Sequence, residues 1–129
     1  MTEIKVGRHN EPGAVYIGRA MARLNRKASP LANPFRMKSE ADRDEVCNRY
    51  EAWLQDQLAA ENEAVCNEID RLTALAHKQG GLTLGCFCAP KRCHGDSIKR
   101  VINQQLLPIV LAENGWQITF AEDSGNDTA

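Results

Sequence analysis

Three of the five cysteines and one of the three histidines fall within nine positions of a 129-residue chain, as Cys86, Cys88, Cys93 and His94 of "CFCAPKRCHGD". Such a set has three chemical uses. The first is metal binding: structural zinc takes four Cys or His ligands in a tetrahedron. Cys86, Cys88, Cys93 and His94 offer the atoms, but C-x-C-x4-C-H lacks the pair of cysteines two residues apart that usual knuckles supply. The second is a reactive thiol. Cys93 precedes a helix-like pattern and is flanked by Lys91, Arg92 and His94, and a helix start with basic neighbours favours the thiolate. His94 then serves as acid or base, and Asp96 either caps the helix, orients His94 or acts as an alternative nucleophile. The third is an anion site, with the helix start, Lys91, Arg92 and His94 holding a phosphate or carboxylate.

The elements around this turn follow from the hydrophobic pattern. EIKVG (3–7) and AVYIG (14–18) read as short strands separated by the turn formers RHNEPG. Residues 19–38 have no sustained period and read as a long loop, with room for one helical turn at 19–26; loops of this length tend to be functional or mobile. Ser39 and Asp42 form a capping-box pattern at a helix start. Val46, Tyr50, Trp53, Leu54 and Leu58 then recur at helical spacing. A break at AAENE separates this helix from a second one that carries Val65, Ile69, Leu72 and Leu75 and closes at Gly80-Gly81. LTLGCF (82–87) reads as a buried strand. Ile98, Val101, Ile102 and Leu106 mark a helix from about residue 94, which Pro108 should kink or restart and Asn114-Gly115 should end. Trp116, Ile118 and Phe120 alternate like a last strand, and AEDSGNDTA reads as a disordered acidic tail. The expected architecture is a single small α/β domain over 1–120, a sheet with helices and a tail at 121–129. The cysteine turn lies between strand end and helix start, where open α/β sheets bind ligands.

Two other blocks hold candidate ligand contacts. Arg19 ends the second strand, where its fork reaches an anion with two hydrogen bonds. Ser29-Pro30 and Asn33-Pro34 rigidify the loop, with Ser29 and the Asn33 amide either facing a ligand or bracing the backbone. Phe35 reads as a core plug, and Arg23, Arg26 and Lys27 as a solvated cluster. Cys47 and Cys66 read as packing residues on helices.

Taken together, "VYIGR" (15–19), "SPLANPF" (29–35) and "LGCFCAPKRCHGD" (84–96) resemble the family called domain of unknown function 4326, small proteins of phages, bacteria and other lineages. The resemblance covers roughly residues 4–107, and departs in "AMARLNRKA", which is longer and more basic than the family pattern. It implies an α/β fold and, through its phage setting, nucleotide-related chemistry.

Formal net charge is −1, so there is no electrostatic footprint for nucleic acid. No run approaches the roughly 20 apolar residues of a membrane span. The N-terminus lacks a signal-peptide pattern, so a cytoplasmic location is expected, and the odd cysteine count argues against a disulfide framework. The leading expectation is a phosphate-bearing small molecule, a nucleotide or sugar-nucleotide, held by Arg19, Ser29, Asn33, Lys91 and Arg92. Cys93, His94 and Asp96 would carry any reaction at its glycosidic or phosphate bond, with no cofactor. The alternative is a non-enzymatic module, stapled by zinc or binding a protein partner such as a phage target in the host.

Overall fold

The computed structural model describes residues 2–115. Three parallel strands form the sheet: β1 (Glu3–Arg8), β2 (Val15–Tyr16) and β3 (Gly81–Cys86), in the order β1-β3-β2. Three helices accompany them: α1 (Arg43–Ala59), α2 (Glu63–Gln79) and α3 (Gly95–Glu113). The chain is thus mixed α/β, with the cysteine-bearing strand at the centre. The expected last strand at 116–120 and the tail lie outside the described residues.

β1 runs alongside β3 from Glu3↔Gly81 to Arg8↔Cys86, and β2 flanks the other side of β3 at Leu84 and Gly85. The two N-terminal strands therefore never pair with each other. The turn between them instead crosses the face of β3, fastened where His9 N–H donates to the Cys86 carbonyl at 2.8 Å. A Cβ at Gly85 would sit 3.0 Å from His9 Cα and 3.1 Å from Ala14 Cβ, so the crossing needs a glycine beneath it.

The opposite face, with Ile4, Leu82 and Leu84, is buried under the helices. Val65, Ile69, Leu72 and Ala76 of α2 and Ile98, Val101, Ile102 and Leu106 of α3 supply the apolar stripes, at the spacing that puts them on one side of each helix. Gly95 lets the start of α3 approach closely: a Cβ there would meet Val6 at 3.0 Å and Ile17 at 3.1 Å.

Helix ends differ from expectation in two places. Ser39 is extended and makes no capping bond; a 3₁₀ turn, Glu40–Asp42, follows it, and α1 begins at Arg43. The Asp42 carboxylate reaches back to Lys38 N–H at 3.2 Å rather than to Ser39. Pro108 neither stops nor restarts α3, which continues to Glu113. Proline deprives the carbonyl four residues earlier of its donor. That carbonyl belongs to Gln104, an exposed residue on the solvent side of α3, where losing a donor costs little. The other ends match: Asn62 caps α2 by accepting from Val65 N–H, and Gly80 ends α2 in the left-handed conformation.

The loop 19–38 holds one 3₁₀ turn, Ala22–Leu24, and is anchored by Leu31, which is fully buried. Tyr50, also fully buried, donates its hydroxyl to the Leu31 carbonyl at 2.7 Å. Loop and α1 are thereby locked together on one side of the cysteine turn.

Candidate functional site: an arginine-lined cleft over three thiols

A cleft of about 420 Å³ opens where the end of β3, the start of α3, the loop after β2 and the first turns of α1 meet. It brings together Arg19, Asn33, Arg92, Cys86, Cys88, Cys93 and His94 from the three separated blocks. Ser29, Lys91 and Asp96 do not line it. Arg36, Arg43 and Cys47 do, and no sequence signal marked Arg36 or Arg43.

Several expected contacts turn out to be braces. The Ser29 hydroxyl accepts from Leu31 N–H at 3.0 Å, and the Asn33 side-chain oxygen accepts from Phe35 N–H at 2.9 Å. Both close short turns in which a side chain replaces a backbone acceptor. Arg19 donates to the Phe35 carbonyl at 2.7 Å while it faces the cleft. Asp96 accepts from Cys93 N–H at 3.4 Å and is exposed, as a residue capping α3 would be. Lys91 pairs with Glu40 at 3.4 Å, and Arg92 with Asp44 at 3.1 Å and Asn48 at 2.8 Å. Phe35 is not a core plug: it is half-buried, lines the cleft and carries the Arg49 guanidinium 4.9 Å from its ring. Arg26 is likewise not merely solvated, since it donates to the His9 carbonyl at 2.9 Å and lies over the Tyr16 ring.

The floor of the cleft is sulfur. Cys86 and Cys93 are buried, with Sγ atoms 3.2 Å apart. Cys88, half-exposed, lines the cleft beside them, as does Arg43. Interaction with the Cys86 and Cys93 thiols, reinforced by Arg43, lowers the pKa of the Cys88 thiol well below the ordinary thiol range. Interaction with the Cys86 and Cys88 thiols, together with burial, pushes Cys93 well above it, and Cys88 raises Cys86 too. Of the three, Cys88 is the thiol whose ionised form the surroundings favour, half-exposed to water in a cleft that Arg43 also lines.

Arg43 is the organising cation. It forms a two-pronged contact with Glu40, at 2.6 and 3.1 Å, and donates to the Arg92 carbonyl at 2.8 Å. It thereby ties the start of α1 to the cysteine turn, whose Ala89–Pro90 bond is cis.

His94 Nε2 lies 2.8 Å from the Ile17 carbonyl. A carbonyl only accepts, so Nε2 carries the hydrogen and Nδ1 keeps its lone pair. Its ring meets the Tyr50 ring edge-on, with centroids 5.0 Å apart. Burial holds the His94 pKa below the usual value, against the Ile17 bond, which favours the cation. The consequence for stability has a definite sign. The contribution is complete above the unfolded value of about 6.5. Below it the unfolded chain takes up a proton that the folded site resists, so stability falls by at most about 1.4 kcal/mol per pH unit until the folded pKa is passed. Urea midpoints should drop between pH 7.5 and 5.5, and His94→Gln, which still offers an N–H to Ile17, should flatten that drop. A wild-type midpoint unchanged over this range would contradict it.

Among the described residues, no group of three or more His, Cys, Asp or Glu side chains is arranged to hold a metal ion. No helix among the described residues is long and apolar enough to cross a membrane.

Fold and site together define a small α/β domain whose central strand delivers a cysteine turn to an arginine-lined cleft. The chain belongs to the family of domain of unknown function 4326, whose sequence profile matches residues 3–104 and so spans every element that builds the cleft. No curated protein and no solved structure matches the chain.

Proposed function

We propose that the protein binds a phosphate-bearing small molecule, a nucleotide or sugar-nucleotide, in this cleft. One observation carries the reading: Arg19, Arg36, Arg43 and Arg92 line the cleft and no aspartate or glutamate does. In a chain of net charge −1 that concentration of cations is local, and guanidinium forks match phosphate oxygens. Tyr16, Phe35 and Phe87 add aromatic surface beside the cations, and Phe87 is 42% exposed. Cations next to exposed rings suit a ligand with a charged end and a flat, less polar one. The volume of about 420 Å³ suits a small molecule rather than a polymer.

Any reaction at the glycosidic or phosphate bond of this ligand would fall to Cys88 and His94. Cys93 is buried with its thiol pKa pushed up, and Asp96 accepts from the Cys93 N–H.

The test is a thermal-shift screen over nucleoside mono-, di- and triphosphates and sugar-nucleotides, with inorganic phosphate and free nucleosides as the separate halves. A ligand at a hundred times its Kd stabilises by about 2.7 kcal/mol, a shift of several degrees. At least one compound with both halves should produce it and outperform either half alone. No shift from any of them would overturn the proposal.

The convergence of three thiols favours one second reading, a zinc-stapled or partner-binding module. It requires stoichiometric zinc in the purified protein and loss of the fold on chelation. The binding reading expects far less than one equivalent, and a melting temperature that chelation leaves unchanged.

A further inference from the structure

Phosphate binding by the arginines leaves the three thiols of the floor without a task. Their arrangement is asymmetric. Cys86, at the end of β3, and Cys93, just before α3, are buried in mutual contact, while Cys88 is the half-exposed thiol of the three that line the cleft. Arg43 lines the same cleft as Cys88 and is itself held by Glu40 and the Arg92 carbonyl. We propose that this cluster is a peroxide-oxidisable thiol site, in which Cys88 meets a hydroperoxide and Cys93 and Cys86 take the oxidation inward as a disulfide.

The chemistry balances in three steps. The Cys88 thiolate attacks the distal oxygen of the hydroperoxide, giving Cys88 sulfenic acid and an alkoxide, or hydroxide from hydrogen peroxide, which takes a proton from water. The Cys93 thiol then attacks the Cys88 sulfur, forming the Cys88–Cys93 disulfide and releasing water. Finally the Cys86 thiol attacks Cys93, forms the Cys86–Cys93 disulfide and expels Cys88 as thiolate, its proton passing to solvent. In sum, two thiols and one hydroperoxide give one disulfide, one alcohol and one water.

The direction of the last step follows from the surroundings. The sulfur that leaves most readily is the one most stable as a thiolate, and of the three Cys88 is the half-exposed one in the arginine-lined cleft, with its pKa lowered by its neighbours. Cys86 and Cys93 are the pair in closest contact, so their disulfide needs the least movement. The other two cysteines provide the contrast: Cys47 is buried on α1 with its thiol pushed up by burial, and Cys66 lies on α2, outside the cleft.

The experiment uses the full chain, reduced, desalted and assayed for metal, then treated with one equivalent of hydrogen peroxide. Free thiols are alkylated over time and tryptic peptides are weighed. Cleavage after Lys91 and Arg92 separates Cys93 from the peptide with Cys86 and Cys88. The wild type should yield that cross-linked pair, with Cys88 recovered as alkylated thiol. Cys86→Ser should stop at the Cys88–Cys93 disulfide. Cys93→Ser should stop at Cys88 sulfenic acid, trapped by dimedone, and Cys88→Ser should form the disulfide at least about tenfold more slowly. Substituting buried Cys93 can unfold the chain, so a short peroxide pulse on the wild type gives an independent reading. In that pulse Cys88 should take dimedone at least about tenfold faster than Cys66. Cys66 labelled as fast as Cys88, an undiminished rate in Cys88→Ser, or a chelation-resistant equivalent of zinc that blocks oxidation would each overturn the proposal.

Discussion

Arg36→Ala is expected to weaken binding of the nucleotide found by thermal shift by roughly ten- to a hundredfold, with no change in melting temperature. The other three cleft arginines have structural commitments: Arg19 holds the Phe35 carbonyl, Arg43 holds Glu40 and the Arg92 carbonyl, and Arg92 holds Asp44 and Asn48. Arg36 is exposed at the cleft wall, and among the described residues its guanidinium makes no hydrogen bond or ion pair. Removing it therefore takes nothing from the fold. A charge-assisted hydrogen bond to phosphate is worth about 1.5–3 kcal/mol, which sets the size of the loss. Lys91→Ala is the matched control: Lys91 is a basic residue of the cysteine turn, but it pairs with Glu40 and does not line the cleft. Isothermal titration of both variants decides the matter, and an Arg36→Ala protein that binds as tightly as the wild type would remove the phosphate from the place drawn for it.

Arg36 and Arg43 show where a sequence stops being legible. The strand end and helix start on either side of the cysteines were readable, because apolar residues at 82–86 and at 98, 101, 102 and 106 state their periods locally. That the three blocks converge on one cleft was foreshadowed only by their order. The identity of the thiolate was not readable at all. Sequence neighbours single out Cys93, preceded by Lys91 and Arg92 and followed by His94. In the fold Lys91 pairs with Glu40 outside the cleft and Arg92 with Asp44 at its wall, and a further cation comes from Arg43, fifty positions upstream of Cys93. The neighbouring Cys86 and Cys88 thiols, together with burial, push the Cys93 pKa up, while that of Cys88 is lowered. Such an outcome depends on long-range geometry and on competition among coupled groups, neither of which a local pattern encodes.

Leu31→Ala should be the most damaging single change in the loop, costing about 2–5 kcal/mol, the range for truncating a buried leucine. Nothing periodic surrounds Leu31, and residues 19–38 read as a segment free to move. In the structure its side chain is 0% exposed and belongs to the same core as Ile69, Leu84 and Ile98. Its N–H is held by Ser29 Oγ at 3.0 Å and its carbonyl by Tyr50 at 2.7 Å. Rigid backbone on both sides limits how far the cavity left by the missing methyl groups can collapse, which favours the upper part of that range. Leu107→Ala, at a position 58% exposed on α3, should stay within about 0.5 kcal/mol of the wild type and controls for leucine chemistry as such. Urea denaturation of the two variants gives the comparison. Because Leu31 lies between Arg19 on one side and Asn33 and Arg36 on the other, conditions that unfold Leu31→Ala should abolish ligand binding with the same midpoint. A loss under about 1 kcal/mol would mean that the loop is not anchored through Leu31 and that the arginines it carries are not held over the thiols by the core.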